Sequence, residues 1–335
     1  MLPVTERPTA KKSVVVTVLL FGLVPLLNAE ILTGSTSIDA LLANPILIIV
    51  SLPLVLVTYA APLAILGDLA VRFRFGLRTI FLSGLIYGII NEGVFAKTLV
   101  APYWPGVQFG NFRFLGLNIL WLPSILVFHA VVSTTVTILV IRSLWPERVS
   151  ESFLERKHYI ALAAVLAVAI AITNIVFVPL IANNLGYPPP FEPLPFLLLL
   201  LLSLFFVLLI KKSLAQKPPV EGSRRRTPAI MYVLLGAGIL LLANIANRFA
   251  LAVAGLWLAV TVTILFGYLF YRYFNAMDSD TEFTKMKTFL VYSTFIIIVL
   301  FAGLGGRQPL SNAVAVIGVA LELIFGWRAS GNPNQ

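Results

Sequence analysis

The stretch Leu194-Pro-Phe-Leu-Leu-Leu-Leu-Leu-Leu-Ser-Leu-Phe-Phe-Val-Leu-Leu-Ile210, closed by Lys211-Lys212, decides the class of this chain. It holds no charged residue and is long enough, as a helix, to cross most of a bilayer's hydrocarbon, which takes about 20 residues. Working outward, comparable apolar blocks occupy residues 13–32, 41–66, 77–95, 115–141, 159–181, 229–247, 250–271, 288–304 and 309–327. None alternates apolar and polar residues, as the strands of a membrane barrel would. A helix also satisfies its own backbone hydrogen bonds, which hydrocarbon demands. The expected fold is therefore all-α, a polytopic transmembrane bundle of about ten spans. Pro45, Pro53 and Pro62 predict that the second block is kinked or broken.

The bulk composition agrees. Of 335 residues, 59% are hydrophobic and only 11% charged, against about 25% charged in soluble domains. The mean hydropathy is +0.97. The net charge of +10 does not point to nucleic acid, because the basic residues lie between apolar blocks. Their expected partners are the lipid bilayer and its anionic headgroups. The chain has no cysteine, which excludes disulfides, thiol catalysis and thiolate metal sites. His129 and His158 are its only histidines, so neither a metal site nor another cofactor is expected. Lys11-Lys12 and the first apolar block resemble a signal peptide, but Leu27 is too large for the position three before a cut at Ala29. The block is read as a first span.

Lysine and arginine set the orientation. With the N-terminus inside, the inner segments carry Arg7, Lys11, Lys12, then Arg72, Arg74, Arg78, then Arg142, Arg148, Arg156, Lys157. They continue with Lys211, Lys212, Lys217, Arg224, Arg225, Arg226, then Arg272, Lys285, Lys287 and finally Arg328. The outer segments hold only Lys97, Arg113, Arg248 and Arg307, so the division is twenty to four. Both termini are expected in the cytoplasm of a multi-pass cell-membrane protein. Residues 211–227, with Pro218-Pro219 and Arg224-Arg225-Arg226, read as a basic linker between six helices (1–210) and four (228–335). Five-plus-five inverted repeats would share this topology, but no self-similarity is visible.

Ionisable groups inside a span are costly and face a partner or a cavity. The third and fourth blocks concentrate them. Gly84, Gly88 and Glu92 recur every four residues and share a helical face, and Gly84-Leu-Ile-Tyr-Gly88 is a small-xxx-small contact. Tyr87 and Asn91 form a neighbouring stripe, and Lys97 follows close enough to pair with Glu92. In the fourth block Asn118 and His129, eleven residues apart, are expected on one helical face, with Ser133 one turn further. Trp121 falls at the block's start, as an interface aromatic or as part of a pocket lining. Glu92 and His129 thus flank one polar cavity, or Glu92 pairs with Lys97 and His129 only joins helices. Weaker candidates are Asn28 and Glu30 ending the first block, Asn174, Asn244, Asn247, and Glu322 in the last block.

Three stretches, Ala29-Glu-Ile-Leu-Thr-Gly-Ser-Thr36, Tyr87-Gly-Ile-Ile-Asn-Glu-Gly93 with Lys97-Thr98 and Tyr103-Trp104, and Leu115-Gly-Leu-Asn118 leading to Phe128-His-Ala-Val-Val-Ser133, resemble an uncharacterised family of prokaryotic polytopic membrane proteins. There the second stretch reads Tyr-Gly-Ile-x-Glu-Glu-Gly with a following Lys-Ser; here Asn91 and Thr98 take two of those places. The resemblance implies no activity, but it implies that Glu30, Glu92, Lys97, Asn118 and His129 belong to one site. Asn91-Glu92-Gly-Val-Phe95 and His129-x-x-x-Ser133 also look like parts of the motifs of CPBP (CAAX-protease-like) intramembrane proteases. There a Glu activates water and histidines stabilise the oxyanion. The first Glu, the Arg and the second membrane His of that pattern are replaced or missing here.

Three functions follow. One is binding or transport of a small solute, ion or lipid through an outward-facing polar pocket formed by Glu30, Tyr87, Asn91, Glu92, Lys97, Asn118, Trp121, His129 and Ser133. The second is an intramembrane hydrolase with Glu92 as base and His129 as oxyanion donor. The third is a non-catalytic scaffold whose polar groups only join helices.

Overall fold

The architecture was read from a computed structural model. It describes residues 13–33, 35–36, 38–43, 49, 51–101, 103–104, 107–108, 113–179, 193–215, 227–280, 284–304 and 309–331. Most of the basic linker, with Arg224 to Arg226, lies outside the described residues, as do Pro45, Arg307 and the side chains of Asn244, Asn247 and Arg248.

The chain is a helix bundle. Its elements are α1 (Val14–Ile31), α2 (Ile38–Ala43), α3 (Leu52–Arg72), α4 (Leu77–Ile89, continued by a π-helical turn Ile90–Phe95) and α5 (Trp121–Leu144). There follow α6 (Pro146–Val149), α7 (Arg156–Ile172, continued by Thr173–Phe177), α8 (Pro193–Ala215), α9 (Ala229–Ala254), α10 (Leu256–Asp278), α11 (Lys285–Leu304) and α12 (Pro309–Ser330). Among the described residues eight helices are long and apolar enough to cross a membrane: α1, α3, α5, α7 with its continuation, α8, α10, α11 and α12. The third and seventh blocks are also helical, as α4 with its π turn and as α9. Of the second block, α2 to Ala43 and the span from Leu52 are described as helices, and Pro45, with most of the stretch between them, lies outside the described residues. The seventh block runs on to Ala254, where Gly255 (φ +80°) turns the chain into α10. Arg248 therefore lies within a helix, not in the outer turn expected from the sequence.

α4 and α5 sit at the centre, and most of α5 is buried. α3 packs against α1 and α7; α8 and α10 flank α4; α9 to α11 pack on one another; α12 lies between α11, α1 and the end of α5. α7 and α8 expose Val165, Val168, Leu197, Leu201, Leu204 and Leu208. Contiguous apolar faces of that kind suit lipid rather than water.

The basic ends of the helices gather together. Arg72 reaches Ser152 Oγ (2.7 Å) and the Leu154 carbonyl (2.9 Å), and Arg78 reaches Asn275 (2.9 Å) and the Ser213 carbonyl (2.9 Å). α4 starts at Gly76, which has no side chain to cap the free amides of the first turn. Asp278, at the end of α10, supplies the cap: its carboxylate accepts from Leu77 N (2.5 Å) and Arg78 N (3.0 Å). A Cβ at residue 76 would meet that carboxylate at 2.5 Å. At the opposite end Asp39 of α2 caps α12, accepting from Ser311 N (3.0 Å) and Ser311 Oγ (2.6 Å). Those hydrogen bonds hold its carboxyl below the usual aspartate range.

The contact between α4 and α5 depends on glycine. A Cβ at Gly84 would lie 2.6 Å from Ala130 Cα, and one at Gly88 would lie 3.0 Å from Leu126 and 3.2 Å from His129 Cβ. Gly84→Ala is therefore expected to push the helices apart and cost about 1–3 kcal/mol. Gly238→Ala, where nothing lies within 4 Å of the added Cβ, is expected to be neutral or stabilising. Thermal unfolding of the two variants in detergent checks the contrast.

Candidate functional site

Three polar centres sit on π-helical turns: Asn28 and Glu30 on Leu26–Ile31, Asn91 and Glu92 on Ile90–Phe95, His129 and Ser133 on His129–Val136. A π turn inserts one extra residue and re-aims side chains, and such turns recur at functional sites. It also disturbs the backbone ladder, and hydrocarbon offers no water to mend it. Side chains repair it here. Asn174 Nδ2 donates to the Val94 carbonyl (3.0 Å), and Thr135 Oγ1 to the Ala130 carbonyl (2.7 Å).

Glu92 and His129 meet directly: Glu92 Oε1 lies 2.8 Å from His129 Nε2. The other carboxylate oxygen accepts from Thr98 Oγ1, and Asn91 Nδ2 donates to Oε1 (3.2 Å). On the far side of the ring, His129 Nδ1 is 2.8 Å from Ser133 Oγ. With Glu92 ionised, Nε2 carries a proton. Nδ1 then accepts from Ser133 when the ring is neutral, or donates to Oγ when it is charged. The pair can thus hold one proton more or less within the same hydrogen-bond frame. It is sealed from solvent: Glu92 is 8% exposed, His129 2% and Ser133 0%.

A chain of contacts ties Glu30 to this pair. Glu30 accepts from Thr36 Oγ1 (2.9 Å) and Tyr59 Oη (2.7 Å). The Tyr59 ring packs on Tyr87 (centroids 6.0 Å), and Tyr87 stands edge-on to His129 (5.4 Å). The loop after α4 closes the other side. Lys97 adopts a left-handed conformation (φ +64°) that turns the chain, and Leu99 N donates back to the Glu92 carbonyl (3.1 Å). This brings Thr98 onto Glu92, and Trp121 Nε1 donates to Thr98 Oγ1 (3.0 Å).

Two expectations are corrected. Asn118 is not on a helix with His129; it lies in a short hairpin (β3 Arg113–Phe114 with β4 Leu117–Asn118), following β1 (Tyr103–Trp104) with β2 (Val107–Gln108). Gly116 (φ +80°) makes the turn, and α5 begins only at Trp121. Asn118 acts on the loop, donating to the carbonyls of Thr98 (2.5 Å) and Ala101 (2.7 Å). Lys97 does not face Glu92. Its ammonium lies 4.2 Å from the centre of the Phe196 ring, and burial pushes it down to about 8. Thr36, Tyr59 and Thr98 are the hydrogen-bonding residues that sequence reasoning passed over as site members. Tyr59 comes from another helix, whereas Thr36 and Thr98 each lie six residues after the carboxylate they serve, a spacing with no meaning in helical periodicity.

Among the described residues, Glu92 and His129 are not in the lining of the three best-formed cavities. The neighbouring cavity, of about 350 Å3, lies on another face of α5. Its walls are apolar side chains of α5, α9, α10 and α11, with Thr33, Ser124 and Thr263 as polar points. Phe128 belongs to both places: it lines the cavity and packs edge-on against His129, centroids 5.5 Å apart.

No curated protein and no solved structure matches the chain. Residues 19–187 match a family described as an uncharacterized membrane protein family. That match runs from within α1 through α7 and includes Glu30, Glu92 and His129, and the chain belongs to this family of membrane proteins.

Proposed function

We propose that the chain binds an apolar or amphiphilic small molecule within the membrane and moves it across, with Glu92 and His129 as the proton-responsive element. The observation that carries this reading is Phe128, whose ring is a wall of the apolar cavity and also touches His129. A largely apolar cavity of about 350 Å3 with a few polar points has the size and character of a small-molecule site. A proton added to or lost from the buried pair changes the charge directly behind that wall. Glu30, through Tyr59 and Tyr87, completes the polar centre, and Asn91, Lys97, Asn118, Trp121 and Ser133 hold its geometry.

A second reading, an intramembrane hydrolase, is favoured by the 2.8 Å contact between Glu92 and His129, a pair suited to activating water. Against it stand the burial of both groups and the occupation of Glu92 by Thr98 and Asn91.

We further propose that both termini lie in the cytoplasm, supported by the twenty-to-four division of basic residues. The chain has no cysteine, so single-cysteine variants report sidedness directly. Lys287→Cys is expected to react with an impermeant thiol reagent only from the cytoplasmic side, and Thr33→Cys only from outside. The reverse pattern would invert the topology.

Ile298→Trp should fill the cavity. Native mass spectrometry of the wild type is expected to retain a bound lipid or other apolar molecule that this variant loses. An adduct undiminished in the variant would place the ligand elsewhere. Retention in the wild type is also expected to change with pH, because the buried Glu92–His129 pair can gain or lose a proton behind Phe128. His129→Gln and Glu92→Gln should flatten that dependence while the proteins still purify as folded species.

A further inference from the structure

The last helix repeats the pattern of α4. Gly318, Glu322 and Gly326 recur every four residues on one face of α12. A Cβ at Gly318 would lie 2.7 Å from Leu27 Cδ1, and one at Gly326 would collide with Tyr292 Oη. The two glycines therefore let the π turn of α1 and the side of α11 close on Glu322 from either side. Four buried residues meet there: Asn28 from α1, Glu322 from α12, Tyr292 from α11 and Ser143 from α5. Asn28 lies beside Glu322, and Ser143 beside Tyr292.

These groups approach one another without reaching hydrogen-bond geometry. Asn28 Oδ1 and Nδ2, Glu322 Oε2, Tyr292 Oη and Ser143 Oγ are buried and have no hydrogen-bond partner among the described residues. Asn28 is only 1% exposed. Buried polar atoms left this way are unfavourable, and a charged one more so. No described ion pair holds a basic group at Glu322, and Arg142, near Ser143 on α5, interacts with Asp278 instead.

We propose that Asn28, Glu322 and Tyr292 form a binding site for a monovalent cation, for which sodium is the probe. A single carboxylate among neutral oxygens balances one positive charge, and hard cations take oxygen ligands. A proton on Glu322 would neutralise the carboxyl alone. A cation also engages the amide oxygen of Asn28 and the phenol of Tyr292. The site is distinct from the Glu92–His129 pair and does not rest on the ligand reading. Its position between α1 and α12 lets cation binding fasten the C-terminal helices to the family region.

The test is the thermal unfolding of the purified full chain, followed by tryptophan fluorescence, in sodium chloride against choline chloride at equal ionic strength and pH. Wild type is expected to gain about 3 °C or more at saturating sodium, as binding to the folded state alone requires. Glu322→Gln and Asn28→Leu should each remove that gain, whereas Glu92→Gln should leave it intact. A wild-type curve indifferent to sodium overturns the proposal, since water or a proton alone would then fill the site. A gain that survives in Asn28→Leu overturns it too. If Glu322→Gln does not fold, the wild-type titration and Asn28→Leu decide the matter.

Discussion

The close approach of α4 and α5 is the contact on which the rest of the molecule depends. It exists because Gly84 and Gly88 carry no side chain where Ala130, Leu126 and His129 must sit. Between helices in lipid there is little hydrophobic drive, so van der Waals contact at short range is a large part of what holds them. The same approach delivers Glu92 to His129. The packing interaction and the polar pair are therefore one feature: the helices cannot separate without stranding a buried carboxyl and a buried imidazole.

Regular helices would not have placed these groups as they are. Glu92 and His129 each lie on a π turn, and so do Asn28 and Glu30. The extra residue in each turn shifts the helical phase just where a polar group must face inward. Asn174 and Thr135 make good part of the disturbed backbone bonding from nearby side chains. Maintaining three such turns in the interior is unfavourable unless polar contacts compensate, and hydrogen bonds to Glu30, Glu92 and His129 supply that compensation.

Polar and apolar functions are segregated around α5. One face carries the sealed pair with Ser133, another lines the apolar cavity with Phe128 and Val131, and its basic end brings Ser143 to Tyr292. α7 and α8 stay largely outside this arrangement, with their apolar side chains facing outward. Only the phenyl ring of Phe128 stands between His129 and that cavity.

Much of this was legible in the residues. Uncharged blocks such as Leu194 to Ile210 determine membrane helices because hydrocarbon leaves the backbone few alternatives. The spacing of Gly84, Gly88 and Glu92 determined a polar face in close contact, and i, i+4 spacing put Ser133 beside His129. Only the tertiary structure decided which groups those faces meet. Helical periodicity misassigned Asn118, because the chain before Trp121 forms a hairpin, where i to i+11 spacing carries no phase. Proximity in sequence suggested Lys97 as partner of Glu92, but the left-handed turn at Lys97 brings Thr98 there instead. The cluster of Asn28, Tyr292 and Glu322 joins residues almost 300 positions apart. Local spacing records one helix's own face, while the groups facing it are chosen by how distant helices pack.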